Sequence, residues 1–180
     1  MMKDRKRNRL KGYDYSQDNL YFVTICVKDR ICCFGKIIEE LDFGETSNDL
    51  SVCEGALQYR IQLNEYGIIV KERLLWLETQ YPYVILDNFV VMPNNVHAVI
   101  EIDSLKISDK VVKIKSLSSL VGAFKTTSSK LIHETGFLDF SWQRSFHDHI
   151  IRTQSSYQNI SNYIDLNPQK WQQDSLFSEV

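Results

Sequence analysis

Two apolar runs, at residues 84–91 and 96–102, flank Met92-Pro93-Asn94. Proline fixes its own φ and asparagine tolerates turn geometry, so the three residues read as the turn of a β-hairpin. Beyond the turn the residues alternate. Val96, Ala98, Ile100 and Ile102 fall on one face of a strand, and Asn95, His97, Val99 and Glu101 on the other. Such a hairpin places one imidazole beside one amide, a spacing that can hold a cation. The same pattern also describes an ordinary half-buried, hydrogen-bonded histidine.

The other elements follow from periodicity. Residues 20–27 are apolar on both faces and read as a central strand. Residues 33–37 begin a short strand or turn, 42–55 read as an acidic tip or loop, and 56–63 alternate as a surface strand. Together they make an inserted β-hairpin. Asn64 is placed to cap a helix in which Tyr66, Ile69, Val70, Leu74 and Leu77 recur at helical spacing, ended by Gln80-Tyr81-Pro82. A polar loop over 103–115 leads to a second helix. Ser116 caps it, Leu117, Leu120, Val121, Phe124, Leu131 and Ile132 mark its stripe, and Gly136 stops it. Residues 145–152 read as a strand, and 155–167 as a last helix that Pro168 ends. Without the inserted hairpin the order is β-α-β-β-α-β. That predicts an α+β fold: a ferredoxin-like antiparallel sheet with an extra C-terminal helix carrying Tyr163.

A chain of 180 residues, 43% hydrophobic and 24% charged, fits one globular domain. No apolar run approaches the roughly 18 residues needed to span a bilayer. No apolar segment follows the basic N-terminus as a secretion signal requires, so a cytoplasmic location is expected. Cys26, Cys32, Cys33 and Cys53 make no CxxC pair and are expected to be reduced thiols, not zinc ligands. The net charge of −2 conceals an asymmetry. Residues 1–11 hold Lys3, Arg5, Lys6, Arg7, Arg9 and Lys11 against Asp4 alone, whereas 37–55 hold Glu39, Glu40, Asp42, Glu45, Asp49 and Glu54 and no basic residue. The chain thus divides into a basic arm, 1–12, and one domain, 13–180. A basic arm suits a polyanion, because phosphate contacts release counterions. A merely solvated terminus has the same composition.

Three pieces converge on chemistry. The strand carries Asn95 and His97. The last helix carries Tyr163 and Asn167 at i and i+4, on one face. The strand before it is entered through Arg144. A tyrosine beside a metal-held phosphate can act as a nucleophile if the cost of its ionisation is lowered. A cation polarises the phosphorus–oxygen bond and stabilises the charge that builds up. Tyr157 is a competing tyrosine, with Ser161 at i+4.

Arg9-Leu10-Lys11-Gly12-Tyr13-Asp14-Tyr15, Tyr21-Phe22-Val23-Thr24-Ile25-Cys26, Val91-Met92-Pro93-Asn94, Trp142-Gln143-Arg144-Ser145-Phe146 and Tyr163-Ile164-Asp165-Leu166-Asn167-Pro168 occur in that order. In these blocks the chain resembles the REP-associated tyrosine transposases, single-tyrosine HUH endonucleases of small insertion sequences. The resemblance runs from about Arg9 to Trp171. It implies a ferredoxin-like fold and cleavage and rejoining of single-stranded DNA beside hairpins, through a 5′-phosphotyrosine and a free 3′-OH. It implies a monomer or homodimer associated with the bacterial nucleoid. Tyr163 matches the nucleophile. His97 matches the second histidine of the His-hydrophobe-His motif, and Asn167 the ligand on the tyrosine helix, for Mg²⁺ or Mn²⁺. Lys125, Lys130 and Arg144, with the arm, are candidates for contacts to DNA.

One position departs from the pattern: Asn95 stands where the first histidine is expected. An amide oxygen suits a hard cation but is a weaker donor than imidazole for transition ions. Two readings stay open. In one, Asn95, His97 and Asn167 still hold a cation and the enzyme works. In the other, the protein is a decayed or domesticated binder of DNA hairpins. RNA hairpins are a third class of partner for an aromatic-bearing sheet of this kind.

Overall fold

The computed structural model describes residues 10–42, 56–108 and 112–177. Strand β1, Asn19–Cys26, is central, paired antiparallel with β5, Asn95–Ile102, on one side and with β6, His147–Ile151, on the other. β4, Val84–Val91, completes the sheet beyond β5, with a register shift between Leu86 and Asn88. The order β4-β5-β1-β6 is that of the split β-α-β pattern once the inserted hairpin is set aside. That hairpin, β2 (Gly35–Asp42) with β3 (Ala56–Leu63), forms a separate two-stranded sheet, where Arg60 and Glu40 pair at 2.7 Å. The acidic tip expected at its end lies, from residue 43 to residue 55, outside the described residues.

Helices cover both faces of the four-stranded sheet. α1, Glu65–Gln80, and α2, Leu117–Glu134, lie on one face. Their buried Val70, Leu74, Leu77, Leu117, Leu120, Val121 and Phe124 join Tyr21, Val23, Ile25, Val96, Ala98 and Ile100 in the main core. α3, Gln154–Leu166, lies on the other face, where Ile164 packs with Val99 and Ile151. The alternation along β5 therefore sorts its residues as expected: aliphatic side chains toward α1 and α2, and Asn95, His97 and Val99 toward α3. Each helix begins on a side-chain cap. Asn64 accepts from the Gly67 amide, Ser116 from Ser119 and Thr153 from Ser156.

One expectation shifts. β6 begins at His147, not at residue 145, because the preceding segment is held to α2 instead: Lys125 Nζ donates to the carbonyls of Gln143 (2.7 Å) and Ser145 (3.1 Å). Trp142 is core. It packs on Phe34, Phe124 and Phe140, and its indole N–H donates to Ser128 Oγ at 3.0 Å. Cys26 and Cys33 are free thiols. Among the described residues no helix is long and apolar enough to cross a membrane.

The inserted hairpin docks on α1 by close backbone approach. A methyl group on Gly67 would run into the Phe34 carbonyl oxygen and the Leu63 side chain. Gly67→Ala is therefore expected to destabilise the fold by about 1–3 kcal/mol, as overpacking does, despite alanine's better helix propensity. Urea unfolding of the two proteins measures it.

Candidate active site

The β4–β5 turn is fully buried, from Val91 through Asn95. A buried turn must find partners for its polar atoms inside the protein. The Pro93 carbonyl accepts from the amides of Cys33 and Phe34, and the Asn94 carbonyl from Val27. The Asn94 side chain donates to the carbonyls of Arg30 (3.0 Å) and Leu176 (2.9 Å), and its Oδ1 accepts from Asn95 Nδ2 at 2.9 Å. Asp29 and Arg30 turn the chain with φ of 56° and 57° to meet it. This network fixes where β5 starts, and so where His97 stands.

His97 is 1% exposed. Its Nδ1 lies 2.9 Å from Thr24 Oγ1, directly across β1, and its ring stacks on Phe22. Its Nε2 lies 3.3 Å from the Tyr163 hydroxyl. Tyr163 stands edge-on to both His97 and Phe22, so two rings fix its orientation while it stays 41% exposed. A core tyrosine would be neither so exposed nor so placed. The competing Tyr157 is engaged elsewhere, donating to Asp87 at 2.6 Å.

Asn167 follows the last turn of α3, one turn beyond Tyr163, and is 2% exposed. Its Nδ2 and the Tyr163 hydroxyl both donate to Asp174 Oδ2, each at 3.1 Å. No periodicity signals Asp174, which follows the short 3₁₀ turn Trp171–Gln173. The segment around it is anchored. Its Oδ1 accepts from the Leu176 amide at 2.8 Å, Arg30 donates to the Ser175 carbonyl at 2.7 Å, and Asn94 holds Leu176. Thr24 and Phe22 are the other participants missed from sequence, since both sit inside an apolar strand.

Two acceptors in the site have no partner: Asn95 Oδ1, on a residue 0% exposed, and Asn167 Oδ1. Orphaned buried acceptors are rare. Beside a neutral imidazole and a carboxylate, amide oxygens form the donor set of a hard divalent cation, so these residues fit one. Among the described residues no three His, Cys, Asp or Glu side chains gather anywhere, so a site made of such groups alone is absent there.

The electrostatics are those of a site short of positive charge. Burial pushes the His97 pKa down to about 4, so the ring is neutral. Burial, then the Asp174 carboxylate, push the Tyr163 phenol up to about 12. Above the site lies an open groove of about 440 Å³, lined by Tyr163, Asn167, Lys170 and Asp174 among others.

The candidate DNA contacts are dispersed. Lys3, Arg5, Lys6, Arg7 and Arg9 lie outside the described residues, and Lys11 is exposed in a turn. Lys125 is tied to backbone carbonyls and its pKa is pushed by burial down to about 8. Lys130, 3.9 Å from Glu134, and the exposed Arg144 line a groove with Lys125 along α2, on the sheet face opposite α3. The structure thus brings Tyr163, His97, Asn95 and Asn167 to one side of the sheet and leaves the described basic candidates off it.

The chain is 31% identical to an uncharacterized protein of Haemophilus influenzae, over 96% of this chain and 93% of that one. The chain belongs to the family of that protein. No family model matches the chain. Its fold is that of a REP-associated tyrosine transposase solved bound to a REP hairpin: TM-score 0.54, 18% identity, 94% of this chain and 74% of that one covered. A looser likeness, TM-score 0.45 at 18% identity, links 92% of the chain to 96% of a proposed transposase from Deinococcus radiodurans.

Neutral burial of His97 has a pH signature. The unfolded ring binds a proton near pH 6.5 and the folded ring only near 4. Between those values the unfolded chain holds more protons, so stability falls as the solution is acidified. The stability forfeited is on the order of 3 kcal/mol. Denaturant unfolding in a chelator should show this slope from pH 6.5 to 4 in the wild type and its disappearance in His97→Gln.

Proposed function

We propose that the protein is a tyrosine transposase-like endonuclease that cleaves and rejoins single-stranded DNA next to hairpins. The observation that carries the reading is the placement of the Tyr163 hydroxyl 3.3 Å from His97 Nε2, at the floor of an open groove. A partly exposed phenol set edge-on to Phe22 and to the neutral imidazole of His97 is built to meet a ligand. The fold shared with a tyrosine transposase solved bound to a REP hairpin, and the sequence blocks that resemble that family, support the substrate class.

In this reading the phenolic oxygen of Tyr163 attacks the scissile phosphorus. The phosphorus–oxygen bond to the 3′ side breaks, the phenol loses its proton, and the departing 3′ oxygen gains one. The products are a 5′-phosphotyrosine and a free 3′-OH. The ester keeps the strand joinable, because a 3′-OH can reverse the displacement. Phe22 and His97 orient the phenol. Thr24 orients His97 in turn. Lys170, on the groove wall, is available to a backbone phosphate. Mg²⁺ or Mn²⁺, held by His97 with the oxygens of Asn95 and Asn167, would supply charge stabilisation at the phosphate and offset the Asp174 carboxylate that, after burial, raises the Tyr163 pKa. The basic arm would follow the DNA backbone.

Asn95 favours one competing reading, a hairpin-binding protein that has lost catalysis. Incubation with hairpin-bearing single-stranded DNA and Mn²⁺ decides between them. The transposase reading expects a covalent protein–DNA adduct that disappears in Tyr163→Phe, with hairpin affinity unchanged. Binding with no adduct in the wild type, and an adduct gained in Asn95→His, would establish the decayed reading instead. Removal of residues 1–9 is expected to flatten the dependence of log affinity on log salt by about 0.7 for each phosphate the arm neutralises. Titrations at several salt concentrations measure that slope.

A further inference from the structure

The motif expected from resemblance contains no carboxylate, yet the structure puts one at the centre of the site. We propose that Asp174 is the anionic ligand of the divalent-cation site, taking the place left by the missing first histidine, with His97 Nε2 and the amide oxygens of Asn95 and Asn167 completing the protein's share. The inference rests on the cation reading given above and deepens it.

Four observations carry it. First, Asp174 Oδ2 and His97 Nε2 converge on one point, lying 3.1 and 3.3 Å from the same phenolic oxygen. Second, Asn167 Nδ2 lies 3.1 Å from that carboxylate oxygen while its own Oδ1, buried, has no partner. Third, Asn95 Oδ1 is buried and unpartnered on the strand that presents His97. Fourth, Asp174 is not on a loose tail. Arg30 and Asn94 pin the chain on its C-terminal side at Ser175 and Leu176, and the Leu176 amide fixes its Oδ1.

The spacing is also suitable. Around a cation with metal–oxygen distances of about 2.1 Å, neighbouring octahedral ligands stand about 3.0 Å apart. The contacts of the Tyr163 hydroxyl with His97 Nε2 and Asp174 Oδ2, 3.3 and 3.1 Å, are near that spacing, and binding an ion there needs the Asn167 amide turned so that Oδ1 takes the place of Nδ2 beside the carboxylate. Exposing the Nε2 lone pair of His97 requires its proton on Nδ1, where Thr24 Oγ1 is positioned to accept it. Such support of a ligand imidazole by a second group is usual in metal sites. Charge supplies the reason for a carboxylate. Asn95, His97 and Asn167 are neutral, and an unpaired divalent charge beside a buried ring is costly. Without an ion, the Asp174 charge faces the place where a phosphate would bind. With one, that repulsion becomes attachment.

The test measures Mn²⁺ binding directly, by the decrease of the free-ion electron paramagnetic resonance signal in titrations of the full chain without DNA. Asp174→Asn keeps the shape and removes the charge, and circular dichroism in a chelator confirms its fold. The proposal expects Asp174→Asn to weaken Mn²⁺ at least tenfold, and Asn95→His in the same chain to recover most of that affinity. Wild-type binding with Asp174→Asn equally tight would overturn the assignment of Asp174 and leave the cation reading standing. No binding by the wild type, together with none by Asn95→His, would overturn both.

Discussion

Everything at the site depends on burying a turn. Met92, Pro93 and Asn94 sit within the protein, although turns usually lie at the surface because their backbone groups need water. Here the Pro93 and Asn94 carbonyls are satisfied by three amides from the segment after β1, and the Asn94 side-chain amide by one carbonyl from that same segment and one from the chain after α3. A buried donor left without a partner costs about 1–3 kcal/mol, so this arrangement tolerates little slippage. It locks the start of β5, the 27–34 crossing and the chain after α3 to one another. His97 and Asp174 are thereby held in register, although 77 positions of sequence separate them.

At the centre of the site built on that frame the groups that meet are neutral or anionic, and Lys170 stands on the groove wall. A neutral histidine, a phenol pushed up to about 12 and a carboxylate bonded to it are a poor welcome for a phosphodiester. Orphaned amide oxygens beside them make sense if a cation belongs there. Both the chemistry and the local charge then point the same way, since an ion that activates the phosphate also neutralises Asp174. The rings of Phe22 and His97 add what a small ion cannot, a fixed angle for the Tyr163 hydroxyl, the attacking group in the proposed reaction.

Much of this was legible in the sequence where local rules decide. Alternation after Pro93 placed Asn95 and His97 on one face, and caps at Asn64 and Ser116 located two helices. The i, i+4 spacing joined Tyr163 to Asn167. Local rules fail where a residue's role comes from distant chain. Asp174 stands in an irregular segment past Pro168, with no period to mark it. Thr24 and Phe22 look like strand filler until β1 is laid beside β5. Lys125 looks like a solvated helix lysine, and only the fold shows its ammonium bound to the carbonyls of Gln143 and Ser145. Trp142 stands in an irregular stretch before β6 with no period to mark it, and only packing shows it closed within the core.

The central claim is that β5 and the end of α3 hold a cation in front of Tyr163. A crystal grown with manganese and measured at a wavelength where the ion scatters anomalously addresses it most directly. A single strong peak is expected, bonded to His97 Nε2, within reach of the amide oxygens of Asn95 and Asn167 and beside the Tyr163 hydroxyl. Saturating manganese with no peak there, while His97 and Tyr163 remain in contact, would contradict it.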